Sequence, residues 1–200
     1  DDQMKGILLG SVIIVVMGMI DDITPLRASL KFVVQIVAAL IPVFYGVQIT
    51  CISNPNLFSD QPYWNFGWMS VPITVLWIVG LTNAVNLIDG LDGLAIGVST
   101  IGALTMLVIA ILVAEPQVAV VMAALVGACI GFMPYNMNPA KIFMGDTGST
   151  FLGFILACIT IQGLFKFYAV ISFVVPFLIL GLPIFDTAFA IIRRISHGQN

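Results

Sequence analysis

Seven apolar runs, at roughly 4–20, 30–50, 70–88, 94–114, 117–134, 149–165 and 168–192, meet or approach the length of a membrane crossing. A hydrocarbon core of about 30 Å takes about 20 mainly apolar residues as a helix, and lipid offers backbone groups no other partner. The expected fold is therefore all-α: a polytopic transmembrane helical bundle of about seven spans in one domain over residues 1–200. Composition supports this, with 60% apolar and only 8% charged residues in 200. The formal charge of −3 and the lack of a clustered basic face argue against nucleic acid as a partner. Cys51, Cys129 and Cys158 are odd in number and contain no CxxC, which suits packing better than a disulfide framework or a zinc site.

The breaks between runs are rich in proline, glycine and polar residues: "DDITPLRAS", "SNPNLFSDQPYWNFGW", "EPQ" and "NMNPAK". Alternating spans put Arg27, Lys31, Lys141, Arg193 and Arg194 on one side and only Lys5 and Lys166 on the other. The positive-inside bias assigns the first set to the cytoplasm, which leaves Tyr63, Trp64 and Trp68 at the outer interface. The expected location is the inner, cytoplasmic membrane, crossed several times.

The same parity gathers the acids. Asp21 and Asp22 follow the first run, Asp89 and Asp92 the third, and Asp146 lies between the fifth and sixth, so all five share one face. Held at the bilayer centre they would cost on the order of 12–18 kcal/mol together, so helix ends are the tolerable place for them. Five carboxylates with few basic neighbours call for a cation. Magnesium fits, because it takes a few carboxylates and completes its shell with water and substrate phosphate. The glycines of "DGLDG" and "GDTGS" would let backbone approach a phosphate, while Thr147 and Ser149 read equally well as helix caps. No GxxxxGK[ST] and no EF-hand loop occurs. "GILLG" (6–10) and "GACIG" (127–131) are small-residue patterns that permit close helix packing.

"GMIDDITPLRASLKF" (18–32), "NAVNLIDGLDGLAIG" (83–97) and "NPAKIFMGDTGSTFLGF" (138–154) resemble the motifs of the polyprenyl-phosphate N-acetylhexosamine-1-phosphate transferases, over nearly the whole chain. "PAKIFMGDTGS" is more similar to the branch that moves GlcNAc 1-phosphate than to the phospho-MurNAc-pentapeptide branch. The resemblance implies transfer of N-acetylhexosamine 1-phosphate from a UDP-sugar (UDP-N-acetylhexosamine) to undecaprenyl phosphate with release of UMP. That would be the first membrane step of a cell-wall polymer, teichoic acid or lipopolysaccharide O-antigen, with Mg2+ required and Mn2+ as the alternative ion. By motif, Asp21 and Asp22 would serve the lipid phosphate, one of them as base. Asp146 would bind the metal, Lys31 would contact phosphate, and Asn86, Asp89 and Asp92 would line the nucleotide pocket or stand just behind it. Besides its substrates and the bilayer, the one protein partner considered is a second copy, as a homodimer.

Family members carry about ten or eleven spans and a histidine-rich loop after the "RR" segment, so the chain is expected to be the core of a longer protein. His197 receives no role, and Asp186 reads equally as a functional acid or as an ion-pair partner of Arg193. A cation transporter with an acidic vestibule is the competing reading, which acids near the membrane midplane would favour. A non-catalytic scaffold would have no need of the acids.

Overall fold

The computed structural model describes residues 2–53 and 63–164. Six helices follow in order: α1 (Asp2–Ile23), α2 (Ala28–Phe44), α3 (Ser70–Ile88), α4 (Leu94–Leu112), α5 (Pro116–Asn136) and α6 (Gly145–Leu164). Two short strands, β1 (Cys51–Ser53) and β2 (Tyr63–Asn65), pair antiparallel between α2 and α3. Four helical stretches, Asp2–Ile23, Gly67–Ile88, Leu94–Leu112 and Pro116–Asn136, are long and apolar enough to cross a membrane, and the fold is a polytopic helical bundle. The expected run at 168–192, with Asp186, Arg193, Arg194 and His197, lies outside the described residues.

The second span is a correction. The apolar run continues to residue 50, but the helix stops at Phe44. Gly46 sits at φ +91°, and the amides of Tyr45, Gly46 and Val47 turn back onto the carbonyls of Ile41, Val43 and Pro42, which closes the helix end. Val47 and Ile49 stay buried without helix, and the Ile49 amide donates to the Thr74 hydroxyl at 2.9 Å. Hydropathy reports that these residues leave water; it does not report their backbone.

The bundle is organised around α6, which packs against α1, α3 and α4. Every residue from Leu152 to Gln162 is buried, so this helix has no lipid face over that stretch. Helix α5 is the opposite case. Its buried residues Val118, Met122, Leu125, Val126 and Cys129 form one stripe at helical spacing, and Val120 and Ile130 on other faces are exposed. Such exposed apolar surface is a liability in water and ordinary against lipid.

Helix α1 shows how the sequence writes a contact. Its buried residues Ile7, Gly10, Ser11, Ile14, Met17, Gly18 and Asp21 recur at three- and four-residue steps, one stripe against α2 and α6. At Gly18 a Cβ would lie 2.5 Å from the Thr147 Cα and 2.8 Å from its amide nitrogen, so α1 and the start of α6 touch backbone to backbone. "GACIG" on α5 does not behave alike: a Cβ at Gly127 or Gly131 meets nothing within 4 Å among the described residues. Cys129 and Cys158 are buried and Cys51 is half-buried, all three free thiols.

Candidate active site

Helix directions alternate through the bundle, so the C-terminal ends of α1, α3 and α5 meet the N-terminal ends of α2, α4 and α6. Every carboxylate between Asp21 and Asp146 that the sequence singles out lies at this end. Among the described residues none sits mid-helix.

Asp21, in the last turn of α1, is buried. One of its oxygens accepts from the Leu26 amide and the other from Lys31 Nζ, each at 2.7 Å. Pro25 breaks the helix between them and allows the chain to reverse into α2, whose first turn carries Lys31. Lys31 Nζ also donates to Asp146 Oδ2 at 2.7 Å, so one ammonium joins the ends of α1, α2 and α6. With side chains only 8–30% exposed, this triad has lost much of its hydration, and breaking it from one side would strand a charge.

Asp22 turns elsewhere. Its Oδ1 accepts from the Asp146 amide at 2.8 Å, and its Oδ2 accepts from the Thr147 amide at 3.2 Å and the Thr147 hydroxyl at 2.5 Å. Neither hydroxyl of "GDTGS" caps its own helix. Thr147 donates to Asp22, and Ser149 donates between Asn86 Oδ1 at 2.9 Å and the Gly145 carbonyl at 2.8 Å.

Asn86 is thereby fixed from α6. One turn on, Asp89 ends α3, and its half-buried carboxyl is pushed up to about 6, by burial first and by the charge of Asp146 second. Asp92 lies on the rim. Its Oδ2 accepts from the Ala140 amide at 3.0 Å and Asn138 Nδ2 at 3.4 Å, which fastens the α5–α6 loop to the α3–α4 turn. The expected residues thus divide. Asp21, Lys31, Asp146 and Asp22 form one connected cluster, to which Ser149 joins Asn86; Asp89 faces the cluster electrostatically; Asp92 holds a loop.

Asn136 is a residue that motif reading passes over. Buried at the end of α5, it accepts from the Gly93 amide at 3.3 Å and donates to the Ile142 carbonyl at 3.0 Å. An asparagine closing a 21-residue apolar helix is the available signal, since an amide there needs partners on both of its faces. Deeper in, Gln35 on α2 accepts from Asn83 Nδ2 at 2.5 Å, one turn below Lys31 and Asn86.

Asp21 Oδ2 and Asp146 Oδ2 already converge on one cation, the lysine ammonium, and both are hard oxygen donors. Among the described residues no three His, Cys, Asp or Glu side chains come together as a ready metal cage. The arrangement suits an ion that takes one or two carboxylates and draws its remaining ligands from water and substrate phosphate, as magnesium does.

The raised value of Asp89 gives a test of the site's electrostatics. From 3.8 to about 6 the folded protein binds a proton that the unfolded chain does not, so stability falls as pH rises through this window. With metal chelated, Asp89→Asn should therefore raise the thermal unfolding temperature of the full-length protein above pH 7, and the gain should shrink toward pH 4. A gain independent of pH would show that burial and Asp146 do not act on this carboxyl as described.

Comparison with known proteins places the chain in a family. The family model described as "Glycosyl transferase family 4" matches residues 4–164. The chain is similar to a probable undecaprenyl-phosphate N-acetylglucosaminyl 1-phosphate transferase of Bacillus subtilis, 46% identical over 199 residues, covering 100% of the chain and 55% of the relative. A decaprenyl-phosphate N-acetylglucosaminephosphotransferase of Mycobacterium tuberculosis is 33% identical over 221 residues, 98% of the chain and 53% of the relative. A phospho-N-acetylmuramoyl-pentapeptide-transferase of Staphylococcus epidermidis is 42% identical over 143 residues, 68% of the chain and 44% of the relative. The chain spans about half the length of the curated relatives it matches.

Proposed function

Because the chain belongs to glycosyl transferase family 4, we propose that the protein containing it transfers N-acetylglucosamine 1-phosphate from UDP-GlcNAc to undecaprenyl phosphate and releases UMP. The observation that carries the reading is the Asp21–Lys31–Asp146 triad where the ends of three packed helices meet. A lipid phosphate anchored in the bilayer and a water-soluble nucleotide can meet there. The relatives' names supply the two substrate classes, a polyprenyl phosphate and an N-acetylhexosamine.

The reaction we propose is a single displacement. An oxygen of the lipid phosphate forms a bond to the sugar-linked phosphorus, the bond from that phosphorus to the UMP oxygen breaks, and UMP leaves with the electron pair. Because the acceptor already carries oxyanions, no protein nucleophile is needed. Lys31 neutralises phosphate charge, and Asp21, the member of the pair that touches Lys31, stands at the acceptor side. Asn86 and Asp89, with the Asp92-fastened turn, form the donor side. Mg2+ held at Asp146, with Mn2+ as the substitute, would stabilise charge developing on the transferring phosphoryl oxygens. The reacting face would be the cytoplasmic one, where UDP-sugars are made, and the product would open synthesis of a cell-wall or O-antigen polymer.

Purified full-length protein, given UDP-GlcNAc, undecaprenyl phosphate and Mg2+, should release UMP at a rate that requires all three. With lipid phosphate rigorously removed it should exchange no labelled UMP into UDP-GlcNAc. Lipid-free exchange would replace direct displacement with a covalent phospho-aspartate route, and no release with any UDP-N-acetylhexosamine would refute the activity.

A further inference from the structure

The two adjacent aspartates at the end of α1 resemble one functional unit, yet their oxygens face different partners. Helix α6 begins at Gly145, and the residue before it, Met144, has no side-chain oxygen with which to receive the first free amides. Those amides, on Asp146 and Thr147, donate to the two oxygens of Asp22, 124 and 125 residues away in sequence. The Thr147 hydroxyl adds a third bond to the same carboxylate. Backbone geometry fits the contact from both sides. A Cβ on Gly145, which sits at φ +66°, would lie 2.7 Å from Asp22 Oδ2, and one on Gly18, a turn before Asp22, would collide with Thr147.

From this geometry we infer that Asp22 is a positioning residue, the N-cap of α6 supplied in trans by α1, and not the base that deprotonates or holds the lipid phosphate. The carboxylate fixes the first turn of α6 and with it the direction of the Asp146 side chain toward Lys31. The charge suits the place, because a helix N-terminus favours an anion. The pair thus divides its work: Asp21 faces the ammonium and the reacting end, and Asp22 faces the helix that carries Asp146. The inference rests on the proposed phosphotransfer only in assigning Asp146 to the reacting site.

Asparagine discriminates the two roles. It caps helices about as well as aspartate: its carbonyl can accept the Asp146 amide in place of Oδ1, and its NH2 can donate to the Thr147 hydroxyl oxygen. It cannot act as a base. In the full-length protein, Asp22→Asn should keep UMP release from UDP-GlcNAc and undecaprenyl phosphate within about tenfold of the parent, with an unchanged pH profile. Asp22→Leu, which offers no acceptor, should lower turnover by about 100-fold, the cost of an ångström-scale misplacement. Amide exchange followed by mass spectrometry over residues 143–150 should match the parent in Asp22→Asn and run faster in Asp22→Leu, with Asp22→Ala in its place should the leucine variant not fold. A general base would instead show a loss of about 10²–10⁴-fold in Asp22→Asn with exchange unchanged, and that result overturns the assignment, as does unchanged exchange in the leucine or alanine variant. The exchange contrast needs no activity. Absence of UMP release from the parent would count against the proposed reaction while leaving the cap to be decided by exchange.

Discussion

Asp146→Asn should abolish UMP release by the full-length protein, a loss on the order of 10³-fold, while leaving the protein folded. Asparagine preserves the shape of the side chain, and the Asp146 amide keeps its bond to Asp22, so the start of α6 stays in place. What goes is one negative charge at the meeting of three helices. Lys31 loses one of its two carboxylate partners, and the pair of oxygens that converges on a cation is reduced to that of Asp21. An in-line phosphoryl transfer depends on charge being neutralised in a fixed place, so the loss should fall on turnover and on magnesium dependence. Asp89 should respond as well, since the charge that helps raise its pKa has gone. Glu115, at the far end of the bundle, is the control: Glu115→Gln should change neither turnover nor metal dependence. Near-parental activity in Asp146→Asn would remove this residue from the reacting site.

Gly18→Leu should force α1 and α6 apart. A side chain at this position meets backbone atoms of Thr147 and Asp146, which cannot rotate away as a side chain could. The helices must separate or shift, at a cost of about 1–3 kcal/mol or more for overpacking. Turnover should fall on the order of 10²-fold, because Asp146 and Lys31 are aligned by the helices being pushed apart. Gly131→Ala is the matched comparison: among the described residues nothing lies within 4 Å of the added methyl, and the helix gains a better former, so stability should hold or rise by up to about 1 kcal/mol. Thermal unfolding in detergent, read beside UMP release, separates the two. Equal effects from both substitutions would mean that α1 and α6 do not touch as described.

Much of this is legible in the amino-acid sequence. Apolar run lengths located the six described helices to within a few residues, the end of α2 apart, because lipid imposes one backbone solution on a long apolar segment. Span parity brought Asp21, Asp22, Asp89, Asp92 and Asp146 to one end for the same reason. Three things were not legible. The end of α2 depends on Gly46 adopting a positive φ inside an apolar run, and hydropathy is blind to backbone dihedrals. "GILLG" and "GACIG" have the same spacing, yet a Cβ on Gly10 would meet Phe154 and Ala38, and one on Gly131 meets nothing within 4 Å among the described residues, so the neighbour and not the pattern decides. The split between Asp21 and Asp22 depends on a partner more than 120 residues away. Adjacency suggested shared partners, whereas the two carboxylates accept from different groups.

The trans cap also has a schedule. Synthesis proceeds from the N-terminus at roughly 5–20 residues per second, and Asp22 is separated from the amide it receives by 124 residues. Helix α1 must therefore wait on the order of 10 s in the membrane with its Gly18 surface uncovered and its terminal carboxylate unmatched. For that interval α1 and α2 have only each other and the arriving α3, and the nascent bundle keeps a vacancy at its centre until α6 enters. Translation pauses or insertase contacts between residues 28 and 145 would lengthen or shelter this interval. A substitution at the α1–α6 contact should then appear first as a fall in the yield of inserted protein, before any defect in the enzyme that does assemble.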